Sequence, residues 1–331
     1  MSNVYDPSKE SIDEFFSRSA QTSSELIHSK PTPIPYLIDP LIIAGNYHIL
    51  TGPIGNMKSY FSLWVAGKLS ETHKVLFVDK ENGLLMIEAR ARNLGLPDTD
   101  NLIYWCERPG MKKEEVPPDF KTGFSFYEYI ARTWNKPCLI FDTLNRFGPG
   151  LDENSVKDMT FITDKLIRLR NLGCTVIALH QVGKPSIESG YQTYRGSSEI
   201  GGGMDIGLTI KNFKQINDHS ASFTIHCFKT RWLPFADQRI VFDSGDFYVL
   251  PHFIKNSSVF FALRQGITNY LKQCPEVRGN EIMEVMSSKK WGGFSKNSTQ
   301  WILSQCRHNY WMKLEGGGNS FTYKNIPSVG V

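Results

Sequence analysis

The sequence predicts an α/β fold with a mainly parallel central sheet. Three observations lead there. Apolar, strand-like runs alternate with helix-like stretches between residues 47 and 181. That alternation marks β-α units whose helices cover both faces of a parallel sheet. A Gly/Lys/Ser loop joins the first of these strands to the first of these helices, and a later apolar run ends in an aspartate.

The elements follow in chain order. Residues 1–30 are polar, rich in Ser and Glu, and read as an N-terminal arm. A proline-punctuated entry, residues 31–40, opens a core domain over 31–250. Strands are expected at 47–52, 74–81, 138–144 and 174–181, and helices at 57–71, 84–95 and 156–173, the last ended by Gly173. After residue 205 the pattern changes. Runs at 205–213, 220–230 and 239–250 read as consecutive antiparallel strands with short turns. A linker near 251–258 leads to a second domain, 258–331, made of short helices and a closing strand pair with a glycine-rich tip at 315–320.

Composition bounds the class. The chain has 331 residues, 40% hydrophobic and 21% charged, in the ordinary range for a globular protein with a sizeable core. No stretch approaches 18 uninterrupted apolar residues, and the first residues lack a cationic start followed by an apolar run. A cytoplasmic protein without leader or membrane span is expected. None of the six cysteines forms a C-x-x-C pair, so buried free thiols are expected. The net charge of +4 is modest, but residues 256–331 hold nine Lys/Arg against four Asp/Glu. That basic excess suits a polyanionic partner.

The loop is the first chemical signal. Gly52, Pro53, Ile54, Gly55, Asn56, Met57, Lys58 and Ser59 follow the pattern G-x-x-x-x-G-K-[ST], with Met57 in place of the last glycine and Tyr60 just after it. Between a strand and a helix, such a loop turns successive backbone N–H groups and a helix N-terminus toward phosphates. Its lysine meets the terminal phosphates, and its hydroxyl serves magnesium. Residues 52–60 are therefore the expected nucleotide contacts, with ATP and Mg2+ as ligands; no base-reading motif is visible. Gly55 supplies the permissive turn, and Met57 fits if its backbone is helical.

Two carboxylates extend the site. Asp142 ends an apolar strand, where ligands bind in open α/β sheets, and is expected to hold magnesium together with Ser59. Glu81, the last residue of the strand 74–81, lies where RecA-like ATPases, which this arrangement resembles, carry the glutamate that polarises the attacking water, and it is the candidate general base. Asp79 and Lys80 read as structural or solvent-facing.

These residues, taken in order, resemble RecA-fold hexameric ATPases of the plasmid and phage RepA-type helicase family. The resemblance covers roughly residues 35–245. It is carried by Asp142-Thr143-Leu144-Asn145-Arg146, Asp152-Glu153-Asn154-Ser155, Leu179-His180-Gln181, Gly183-Lys184, Arg195-Gly196-Ser197-Ser198 and Asp205. In that family a bulky residue often replaces the last loop glycine.

The resemblance implies several roles. His180 would sense the γ-phosphate, and residues 182–198 would form a DNA-facing loop with Lys184 and Arg195 on phosphates. Lys229 and Arg231, a K-x-R element, would reach the nucleotide of a neighbouring subunit, Arg231 as an arginine finger. The implied protein is a DNA helicase or translocase, probing single-stranded DNA in the centre of a homo-oligomeric ring, a hexamer.

Residues 258–331 look like a winged helix-turn-helix that suits duplex DNA, with Lys296, Asn297, Ser298, Thr299, Gln300 and Arg307 on a recognition helix and Lys313 and Lys324 by the wing. A protein-contact module is the other reading of that domain. For the whole chain, two rivals stand beside the motor: a RecA-like recombinase or annealing accessory, and an ATP-switched DNA-binding initiator or regulator.

Overall fold

The computed structural model describes residues 11–30, 33–181, 198–274, 276–306, 309–315 and 321–326. Lys184 and Arg195, with the loop 182–197, and Arg307 lie outside them. Among the described residues, no helix is long and apolar enough to cross a membrane.

The chain forms two compact units, Met1–Tyr36 and Leu37–Val331. The first carries helices α1 (Ile12–Ser19) and α2 (Ser23–His28). Each starts on a capping box, Ser11 with Glu14 and Thr22 with Glu25, which satisfies N–H groups that would otherwise lack partners. Residues β1 (Tyr36–Ile38) and β2 (Ile42–Ile43) then make a short ribbon.

The larger unit is built on a nine-stranded sheet. Its elements run β3 (Tyr47–Gly52), α3 (Lys58–Ser70), β4 (Val75–Asp79), α4 (Leu84–Asn93), β5 (Leu102–Cys106), α5 (Phe124–Thr133), β6 (Cys138–Asp142), α6 (Val156–Asn171), β7 (Thr175–Gln181), α7 (Ser198–Gly203), β8 (Ile206–Asn217), β9 (Ser220–Thr230), β10 (Gln238–Asp243) and β11 (Asp246–Leu250). The strand order is β11-β10-β9-β8-β3-β7-β6-β4-β5. From β8 to β5 the neighbours pair in parallel; β8 to β11 pair antiparallel. The last strands are thus an antiparallel extension of the parallel sheet.

Burial explains the central runs. Every residue of β3, β4 and β6 is buried, which requires helices on both faces and a near-continuous apolar sequence. One core layer gathers Ile49, Val78, Phe141 and Val176 from the sheet with Tyr127, Ile162 and Leu166 from α5 and α6. Helix α3 packs Phe61 and Trp64 on Phe223 and Phe247. The six cysteines are free, and Cys106, Cys138, Cys174 and Cys306 are buried.

The C-terminal part has the order α8 (Ser257–Gln273), β12 (Glu276–Arg278), α9 (Gly279–Ser287), α10 (Lys296–Gln305), β13 (Trp311–Glu315) and β14 (Phe321–Asn325). Its three strands form one antiparallel sheet, β12-β14-β13. Its core, including Phe260, Leu263, Ile302 and Trp311, is continuous with Val241, Tyr248 and Leu250 of β10 and β11. A buried carboxylate reinforces that junction. Asp243 accepts hydrogen bonds from Ser220 and Tyr310, both at 2.7 Å, and pairs with Arg264 at 3.0 Å.

Candidate active site

The carboxyl ends of β3, β4, β6 and β7 meet in one cleft. Strand register sets this. Asp79 stands opposite Asp142 on the parallel pair β4–β6, and Gly52 opposite Gln181 on β3–β7. Loop residues Ile54 to Ser59 and Tyr60 line the cleft with Glu81, Asn82, Arg90, Asp142, Thr143 and Gln181. The structure therefore brings Lys58, Ser59, Glu81 and Asp142 together, as the motifs anticipated.

The loop has the shape of a phosphate cradle. Gly55 is left-handed at φ +82. Met57 is also left-handed, at φ +58 and ψ 18. This corrects the expectation of a helical Met57. The last residue before α3 must turn the chain so that the helix N-terminus faces the cleft, and that turn needs positive φ. Glycine does this freely, whereas a side chain costs about 1–2 kcal/mol there. Gly52 is tight for a different reason. A methyl group there would sit 3.1 Å from the Ile210 side chain and 3.4 Å from the Lys58 stem.

Lys58 folds over the loop. Its ammonium donates to the carbonyls of Gly52 at 2.7 Å and Pro53 at 2.8 Å. Burial lowers its pKa, while the charges of Asp142 and Glu81 pull it back up. The cation thus already faces the two carboxylates of the site.

Asp142 has the most perturbed carboxyl of the cleft. Burial, then the nearby Asp79, push its pKa up to about 7; the Ser59 hydroxyl, hydrogen-bonded to it, and Arg90 act the other way. One carboxylate oxygen, Oδ2, is buried without a hydrogen-bond partner among the described residues. A buried carboxylate oxygen left bare beside a serine hydroxyl, among further carboxylates, is a donor set that a hard divalent cation completes. The residues present therefore fit Mg2+, with Ser59 and Asp142 as its protein contacts.

Glu81 owes its place to Asp79. The buried Asp79 carboxylate accepts from the backbone N–H groups of Glu81 and Asn82, both at 2.8 Å, from the Asn82 amide at 2.9 Å, and from Tyr104. Asp79 is therefore structural rather than solvent-facing. The Glu81 side chain itself is exposed to the cleft. Lys80 turns away and donates to the Pro117 carbonyl at 2.8 Å.

The β7 end requires a correction. His180 is 1% exposed and does not line the cleft; Gln181 does. Arg90 on α4 was missed. It lines the cleft, its guanidinium lies 5.9 Å from the Tyr60 ring centroid, and its Nη1 is buried without a hydrogen-bond partner among the described residues. Tyr60 borders the cleft while its ring packs on Phe242 and Phe247 and its hydroxyl meets Asn93.

Lys229 and Arg231 are not at this cleft. Thr230 pairs with Ile206, and Ile206 with His48, so both cations lie at the amino end of β3, a strand length of about 15 Å from the loop. Lys229 donates to the α7 carbonyls of Gly201 and Gly202, and Arg231 to that of Gly202 at 3.2 Å. Arg231 also pairs with Asp205 at 3.4 Å.

In the C-terminal part, Lys296 is exposed on the first turn of α10. Ser298 and Thr299 are buried, so they are withdrawn as surface contacts. Lys313 lies 3.2 Å over the Phe321 ring, which holds its ammonium against its own hairpin.

Comparison with known proteins agrees with the cleft. No curated protein matches the chain. Residues 14–186, just over half of it, match the AAA domain family. With its phosphate loop and strand-end carboxylates on a largely parallel sheet, the chain belongs to the AAA domain family and is a P-loop ATPase of RecA/AAA-like kind.

Proposed function

We propose that this protein is an ATP-driven, ring-forming DNA helicase or translocase, acting in the replication of a plasmid, phage or other mobile element. The observation that carries this reading is the separation of Arg231 and Lys229 from Lys58 by the length of β3. A head-to-tail assembly joins two different faces of the same chain, and such contacts close into rings when the rotation allows. Cations at the amino end of the sheet then complete the cleft of the next copy.

Each residue has a stated task. Lys58 and the loop N–H groups bind the phosphates. Ser59 and Asp142 would hold magnesium, which would neutralise phosphate charge. Glu81 takes a proton from the attacking water. Arg231 of the neighbour stabilises charge on the transferring phosphoryl oxygens, a task suited to a planar, permanently charged group. The sensing role that the resemblance implies for His180 falls to Gln181, which lines the cleft at the end of β7. We read the C-terminal part as a winged helix-turn-helix, a reading that its order of helices and strands supports.

Unwinding of a forked DNA duplex tests the motor. ATP-dependent strand separation that disappears in Lys58→Ala is the expected result. Hydrolysis stimulated by DNA, with no strand separation and filaments in place of rings, would replace the motor with a recombinase-like protein. Glu81→Gln is expected to slow hydrolysis at least about 100-fold while nucleotide binding persists.

A further inference from the structure

Arg90 reaches the nucleotide cleft from a helix that the core barely holds. Of the ten residues of α4 only Ile87 is buried, and its N-cap, Gly83, makes no side-chain cap. A helix this short, with so little buried apolar surface, is marginal by itself. Contacts with neighbouring elements must fix where it lies. Leu94, just past its end, is buried as well, but one apolar plug leaves the rotation of the helix open.

The specific contacts gather at the last residue, Asn93. Its side-chain amide donates to the Tyr60 hydroxyl. Its carbonyl oxygen rests on Gly245, in the turn between β10 and β11, so closely that a methyl group on Gly245 would lie 2.1 Å from it. Both partners are themselves fixed. Tyr60 directly follows Ser59 on α3, and its ring packs on Phe242 and Phe247. The turn is held from two sides. Asp246 accepts from the Trp64 indole of α3 at 2.7 Å, and the Tyr310 hydroxyl meets Asp243 at 2.7 Å and Ser244 at 2.9 Å.

We infer that Asn93 is a positioning residue for ATP hydrolysis, acting through Arg90. The two lie three residues apart on α4, one turn along the same face, and both meet Tyr60. The Arg90 guanidinium is 5.9 Å from the Tyr60 ring centroid, and the Asn93 amide is on the hydroxyl. Two points one turn apart, held by one side chain, set both the height and the rotation of α4. That aims Arg90 into the cleft it lines with Lys58 and Ser59. Asn93 is exposed, so losing its amide costs the fold little. What is lost is the alignment of a cation with the nucleotide, where a displacement of about 1 Å is felt in the rate. The inference rests on the ATPase assignment and on Arg90 facing the nucleotide; it needs neither a ring nor DNA.

The test is steady-state ATP hydrolysis by the full chain with magnesium, beside a thermal melt and binding of a fluorescent ATP analogue. Asn93→Ala and Tyr60→Phe remove the same hydrogen bond from its two ends, and the second keeps the ring under Arg90. Each should lower kcat/KM about three- to tenfold, the scale of one lost hydrogen bond, with the melting temperature within about 2 °C of the wild type. The two together should lose no more than either alone. In an Arg90→Ala background neither should lower kcat/KM further, because the group they position is gone. The inference is overturned if either single variant hydrolyses ATP like the wild type, if its loss multiplies with that of Arg90→Ala, or if the loss in Tyr60→Phe tracks a fall in melting temperature. Binding separates this from the ATPase reading. A wild type that binds the analogue without hydrolysis, with the same pattern across the variants in Kd, removes the ATPase reading and leaves the role of Asn93 standing. An active wild type with unchanged variants removes Asn93 alone.

Discussion

Asp79 and Asp142 face each other across two adjacent parallel strands, both 1% exposed, yet only Asp79 is saturated with hydrogen bonds. The pair divides two tasks. Asp79 orders the turn that presents Glu81. Asp142 keeps a bare oxygen for a cation, at a cost in the metal-free protein.

That cost has a pH signature. The folded pKa of Asp142 is raised to about 7 from an ordinary 3.8. A raised carboxyl favours folding while protonated. Its contribution is complete below about pH 4, falls as pH rises, and is gone above pH 7. In the nucleotide-free protein, Asp142→Asn should be more stable than the wild type by roughly 2–4 kcal/mol at pH 8, and the difference should vanish near pH 4. Urea unfolding of both proteins across that range checks it; equal stability at pH 8 contradicts it.

Arg90 stands at the edge of the same cleft, its Nη1 without a hydrogen-bond partner among the described residues. Arg90→Ala should reduce kcat/KM for ATP at least about tenfold, the scale of a lost charge-assisted contact, with little change in stability. Steady-state kinetics beside a thermal melt separates the two effects. Unchanged kinetics would remove Arg90 from the site.

Asp205 and Arg231 touch, but their roles differ. Asp205 accepts from the Tyr47 backbone N–H at 2.9 Å and pairs with Arg170 at 2.7 Å, in a setting where its side chain is 5% exposed. Asp205→Ala strands both partners and should cost about 3–5 kcal/mol. Arg231 is 53% exposed, and Arg231→Ala should change stability by less than about 1 kcal/mol while hydrolysis collapses. Equal destabilisation by the two would make Arg231 structural.

Met57 tests the loop. Met57→Gly relieves a left-handed side chain but loosens the unfolded chain, for a net gain of about 0.5–1 kcal/mol; Met57→Val should lose about 1 kcal/mol instead. Chemical denaturation resolves both, and a loss in Met57→Gly would show that its side chain matters more than its backbone.

Much of this site was legible in the residues themselves. Lys58, Ser59, Glu81 and Asp142 sit where strand ends and a Gly/Lys/Ser loop predict, because a parallel sheet delivers the carboxyl ends of its strands to one crevice. The misreadings have physical causes. Whether His180 or Gln181 faces the cleft is concealed because β7 lies inside the sheet and is buried from Thr175 to His180. Met57 was assigned a helical backbone from its neighbours, but the turn demanded otherwise. Strand β5 and helix α5 are not legible because residues 97–137 show neither a clean two-residue nor a clean helical period, and their pattern depends on partners distant in sequence. Arg90 needed the fold to bring α4 over the loop.

The central claim is that one nucleotide site belongs to two subunits, and mixing defective subunits tests it most directly. Lys58→Ala and Arg231→Ala chains are each expected to be inactive alone. Mixed in equal amounts, they should regain DNA-stimulated hydrolysis, because about a quarter of the interfaces in a randomly assembled ring pair an intact loop with an intact Arg231. Recovery near that fraction is the predicted result. No recovery at any mixing ratio, with rings still formed, would contradict a site shared between subunits.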